Sequence, residues 1–159
     1  ELYVGAIRLY DLSYRNEATY WFYAAQFRGR QYAALVDQSK LGGIGSAAFE
    51  LYHAQDAFFQ LAGPSINGYA FGDLDTLQKI VAAVESQNRT VPDMRSMYPG
   101  VTFIHKAQWP QKNAEVEAGL AKLADYLSTQ KPAIAQERER NGTQAPFAKL
   151  SSKRFPGGL

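Results

Sequence analysis

The sequence predicts an all-α fold: a single-domain bundle of five to six helices around a central helix at about 16–36, with one long irregular loop. Three observations carry this. The stretch Asn16 to Val36, NEATYWFYAAQFRGRQYAALV, is nearly free of helix breakers and apolar on more than one side. Apolar residues in several other segments recur at i, i+3, i+4 spacing, the period of a helix face. The one extended-looking run, VTFIH, has no evident second strand to pair with.

At 159 residues one domain with a sizeable core is the default. A composition of 46% hydrophobic and 20% charged residues is globular rather than disordered. Aromatics reach 13%, with ten Tyr and nine Phe, which suits either a thick core or an aromatic binding surface. The net charge of +2 is too small for a nucleic-acid footprint. No cysteine is present, so there is neither a disulfide framework nor a thiol nucleophile. No apolar run is long enough for a membrane span. The chain begins at Glu1 rather than Met, which leads us to expect a processed, exported bacterial protein, periplasmic for example, with a trimmed chain or a cytoplasmic one as alternatives.

Leu2 to Leu12 reads as a short first helix, with Leu2, Ala6 and Leu9 on one side. Ser13 to Arg15 is a tight connection, and Asn16 is placed as the N-cap of the central helix with Glu17 in its first turn. Ala18, Trp21, Phe22, Ala25, Gly29, Tyr32, Ala33 and Val36 form one apolar stripe of that helix. Tyr20, Ala24, Phe27 and Ala34 form a second, leaving Thr19, Tyr23, Gln26 and Arg30 as a narrow polar strip. Gly29 would let another helix approach closely. The segment ending in LGGIG lacks the Lys-Ser/Thr pair of a P-loop and reads as a connection.

Ser46 caps a third helix reaching about Ala62, where Gly63-Pro64 is a stop signal. Its apolar face runs through Ala48, Leu51, Tyr52, Gln55, Phe58, Phe59 and Ala62, and Gln55 within it needs a partner if buried. Ser65 to Gly72 reads as a loop turning at Asn67-Gly68, with Ile66, Tyr69 and Phe71 folded back onto the helices. Asp73 or Asp75 caps a fourth helix that buries Leu74, Leu77, Ile80, Val81 and Val84. Gln87 to Gln108 is the long irregular stretch, too apolar for disorder and long enough to be functional. A fifth helix spans about Pro110 to Leu127, and Pro132 opens a sixth that ends near Gly142. The helical domain is thus 1–142, and 143–159 is an extended tail pinned by Phe147, Leu150 and Phe155.

Catalytic signals are thin. Of two histidines, His53 has only Asp56 at i+3 and no third metal ligand nearby, and His105 lies in the long loop. His105 with Ser96 or Ser65 would make a small hydrolase, but neither serine sits in a nucleophile motif. Glu17 and Glu50 lie on different helices, and capping explains Asp73 and Asp75. No catalytic residue, metal site or cofactor is therefore assigned. Arg28 and Arg30 must bring their charge from an apolar helix to solvent, a salt bridge or a partner.

Two resemblances add to this reading. AIRLYDLSYRNEATYWFYAAQFRGR resembles one helix pair of tetratricopeptide or Sel1-like repeats, with no second copy at a fixed period. YWFYAAQFRGR together with INGYAFGD resembles small bacterial helical proteins, some of which look like immunity partners of antibacterial secreted toxins. That resemblance implies a protein that binds and occludes another protein, such as a type VI secretion effector, and supplies no catalytic residues. The expected partner surface is Met94, Arg95, Met97, Tyr98 and Phe103 from the long loop, Tyr69 and Phe71 from the shorter one, and Arg28 and Arg30. The alternatives are the His105 hydrolase and a helical scaffold or adaptor with a groove lined by helices one to three.

Overall fold

A computed structural model describes residues 1–157. They form six α-helices: α1 (Leu2–Asp11), α2 (Arg15–Leu35), α3 (Ala47–Ala70), α4 (Leu74–Gln87), α5 (Trp109–Thr129) and α6 (Lys131–Arg140). No strand forms among the described residues, so the all-α bundle is as the helical periodicity predicts.

α2 is the centre, packed against α1, α3, α4 and α5. It is enclosed more completely than its sequence indicates. Of the expected polar strip Thr19, Tyr23 and Gln26 are buried and only Arg30 is exposed, while Trp21 from the apolar stripe is exposed too. Two of these buried polar groups find partners: Thr19 Oγ1 donates to the Arg15 carbonyl at 2.8 Å and Tyr23 Oη to Asn67 Oδ1 at 3.0 Å. α2 also starts earlier than Asn16, at Arg15, with Ser13 in the left-handed region at φ 69° to turn the chain. Asn16 instead accepts from Tyr69 Oη at 2.8 Å.

α3 departs most from expectation. Ser46 Oγ caps it by accepting from Phe49 N at 3.3 Å, as predicted. Gly63-Pro64 does not stop it, and the helix continues to Ala70. Most of the predicted loop, residues 65–70, is therefore helix, and only Phe71 and Gly72 turn the chain. Proline costs a helix interior about 3 kcal/mol. Burial of Ala62, Gly63, Ile66, Gly68 and Ala70 along the second half of α3 outweighs it. The first half buries only Ala48, and Phe59 and Leu61 are exposed, so this half lies along the edge of the bundle as an arm, meeting it through Phe58 on Tyr3 and Gln55 over Gly29.

Asp73 is the cap of α4, accepting from Thr76 N at 3.0 Å and Thr76 Oγ1 at 2.7 Å. Two cores result. The larger is built by α1 to α6 around Phe22, Ile66, Val81 and Leu127. The smaller holds Leu35, Met94 and Trp109. Beyond Arg140, residues 141–149 form turns rather than an extended tail, and the chain then runs extended back to the α1–α2 connection. There Lys153 N donates to the Ser13 carbonyl at 2.8 Å, Asn16 N to Ser152 Oγ at 3.0 Å, and Arg15 to the Ser151 carbonyl. Phe147 packs over Gly68, where a Cβ would sit 2.1 Å from its ring. Phe155 meets Tyr14 edge-on at 5.2 Å. No helix among the described residues is long and apolar enough to cross a membrane.

Candidate functional site

The long loop is held by its own apolar residues. Met94 is fully buried, against Leu35 and Trp109, with Tyr98, Phe103 and Ile104 half-buried around them. VTFIH does find a partner: Phe103 bridges antiparallel to Val36 at the end of α2. Asp37 N donates to the Thr102 carbonyl and Ile104 N to the Leu35 carbonyl, both at 2.9 Å. The sequence showed no second strand because the pairing segment is the exit of a helix. Trp109 Nε1 donates to the Ile104 carbonyl at 3.1 Å and closes the loop.

The nine predicted partner-binding residues separate accordingly. Met94 and Phe103 serve the second core. Met97 is 56% exposed at the loop's edge, beside Tyr98, whose ring meets Tyr32 edge-on at 6.1 Å. Arg95 grips Asp93 through both carboxylate oxygens and lies 5.8 Å over the Trp109 ring. The Arg95 guanidinium holds the Asp93 carboxyl well below the usual carboxylate range, and Asp93 in turn raises Arg95. Tyr69 and Phe71 lie at the end of α3. Tyr69 is tied to Asn16 and stacked edge-on with Tyr10, and Phe71 packs on the main core. They are far along α3 from its arm.

The two arginines have opposite fates. Arg28 is a clamp: its Nη1 donates to the Thr90 carbonyl at 2.8 Å and to Gln31 Oε1 at 2.9 Å, and its Nη2 to Asn88 Oδ1 at 3.3 Å. Gln31, fully buried, passes the link to Asn113 Oδ1 at 2.6 Å. Arg30 is exposed and takes part in none of the hydrogen bonds or ion pairs among the described residues. His105 is exposed, and its Nδ1 accepts from Ala107 N at 3.3 Å to cap a short 3₁₀ turn. No group of three or more His, Asp or Glu that could hold a metal occurs among the described residues.

What sequence reasoning missed is the cleft under the arm of α3. The arm crosses α2 at Gly29, where a Cβ would sit 2.7 Å from Gln55 Oε1, so the glycine does admit a close neighbour. On either side of that crossing lies a hollow. One, of about 470 Å³, is mostly apolar and includes Leu2, Tyr32, Leu51, Phe58, Met97 and Tyr98. The other, of about 410 Å³, is more polar and includes Tyr3, Gln26, Arg30, Tyr52, Gln55 and Asp56. Gln55, an amide within the apolar face of the third helix, was the signal that something polar is needed there.

No family model, no curated protein and no solved structure matches the chain.

Proposed function

We propose that the protein works by binding another protein and covering part of it. Its concrete form would be an immunity protein that neutralises an antibacterial effector of a secretion system, type VI included, by occluding the effector's active site. The periplasm or another exported compartment goes with this reading. The observation that supports it best is the apolar hollow beside Met97 and Tyr98, open next to a loop whose own core holds its backbone in place. An exposed apolar cleft of this kind marks interaction surfaces, and a pre-organised loop loses little entropy on docking. Its occupant is a large apolar side chain of the partner, seated between Leu51, Phe58 and Met97, with Tyr98 and Arg95 at the loop edge.

The test is capture of the partner from the native cell, followed by binding measurements with Met97→Ala, Tyr98→Ala and Arg95→Ala. Affinity should fall about tenfold or more for Met97 or Tyr98, the loss of one interface anchor. Co-expression with the captured effector should rescue bacterial growth for the wild type and less so for these variants. Unchanged binding in all three would remove the loop and its hollow from the interface.

An adaptor reading has one observation in its favour, since the hollows are lined by α1, α2 and α3 as a groove-based scaffold requires, joined in the apolar one by Met97 and Tyr98 of the long loop. It differs in outcome: a captured partner would keep its activity when bound. The hydrolase reading gains no support, because among the described residues no Ser, Asp or Glu hydrogen-bonds His105.

A further inference from the structure

A buried donor without an acceptor destabilises the free protein and is uncommon. Among the described residues three buried side-chain atoms lack a partner, and two of them, Tyr3 Oη and Gln26 Nε2, belong to residues lining the polar hollow. Both residues are only 9% exposed. Burial pushes the Tyr3 hydroxyl up to about 12, so it stays protonated and remains a donor. Arg30 reaches the same hollow with its guanidinium unpaired, close enough for its charge to act on both Tyr3 and Tyr23. Asp56 also lines the hollow, with His53 as its neighbour at 3.9 Å. Phe59 and the Tyr3 ring, itself stacked on Phe58 at 5.0 Å, supply apolar wall.

We propose that this hollow binds a carboxylate, with Arg30 as its charge partner and with the Gln26 amide and Tyr3 hydroxyl, enclosed in the free protein, turning toward it as further donors. The planar guanidinium fork fits a carboxylate through two parallel hydrogen bonds. One cation facing one rim carboxylate favours a singly charged group over a phosphate dianion, and Asp56 favours a ligand that also carries an ammonium. An amino acid in solution carries both groups, whereas an acidic side chain on a protein surface offers the carboxylate alone. The site rests on the hollow alone and not on partner docking beside Met97.

The experiment is a ¹H–¹⁵N NMR titration of the isolated protein, following the Gln26 side-chain amide and Arg30 Nε–H. The probes are sodium acetate, sodium glutamate and a blocked Ala-Glu-Ala peptide, with sodium chloride and sodium phosphate at matched ionic strength. Saturable shifts with glutamate or acetate support a free ligand. Saturable shifts with the peptide alone support a carboxylate carried by a protein. Arg30→Gln should weaken binding about tenfold or more, the loss of a charge-assisted hydrogen bond. Arg30 is exposed, so this variant folds. Tyr3→Phe should weaken binding less while raising the Tm of the free protein, because it deletes a hydroxyl that lacks a partner. Shifts no larger than those with chloride, stronger binding of phosphate than of any carboxylate, or wild-type affinity in Arg30→Gln would each overturn the proposal.

Discussion

Met94 and Met97 sit three positions apart in the same loop and do opposite things. Met94→Ala removes a fully buried side chain and should cost about 2–5 kcal/mol, whereas Met97→Ala on the surface should stay within about 0.5 kcal/mol. Urea denaturation of both variants checks this, and equal losses would mean the second core is not built as described. Asp73 carries a pH dependence. Hydrogen bonds from the Thr76 backbone and hydroxyl hold its carboxyl below the usual range. Because the folded pKa is the lower one, its contribution is complete above the unfolded value of about 3.9 and fades as pH falls through the folded value. Asp73→Ala should cost about 1 kcal/mol at neutral pH. Asp73→Asn should keep most of the cap and lose less stability than the wild type on going to acid. Stability curves at neutral and acid pH decide it. At this scale the sequence was legible where a side chain serves its own neighbourhood, as at Ser46 and Asp73. It was not legible for Arg28, whose acceptors are some sixty positions away.

α3 teaches a different lesson. Its cap and its breaker pair were readable, yet the breaker was overruled. Local propensity sees only the backbone cost at Pro64, not the burial of Ile66, Gly68 and Ala70 that continuing the helix secures. Pro64→Ala should therefore stabilise the protein by about 1 kcal/mol or more, since it adds helix propensity at an exposed position in the interior of the helix. A Tm at or below that of the wild type would show that the helix is adapted to its proline. Gly68 presents a clash of interests: Ala suits a helix better by about 1 kcal/mol, but its methyl would occupy the place of the Phe147 ring. Gly68→Ala should loosen the tail, seen as faster tryptic cleavage at Lys149 and Lys153, even if Tm hardly changes.

For the molecule as a whole, the helical class was legible because the period of a helix is local and repeats. Its partition into two cores was not, since Leu35, Met94 and Trp109 meet from separate stretches of chain. The candidate site was legible only in part. The sequence pointed to the long loop and to Arg30, but the cleft flanks the crossing of α3 over α2 at Gly29, a contact between separate stretches of chain. The residues that line it come from α1, α2, α3 and the long loop and share no motif.

The clasp between Lys153 and Ser13 also sets an order of events in time. During synthesis both helices of the α1–α2 hairpin are made long before residues 151–153 exist to hold its turn, so a hairpin formed at that stage stands without the clasp. Contacts between distant stretches of chain form late in folding. The clasp should therefore act as a latch on a finished structure. Removing residues 150–159 should leave the refolding rate nearly unchanged and accelerate unfolding, as stopped-flow measurements would register.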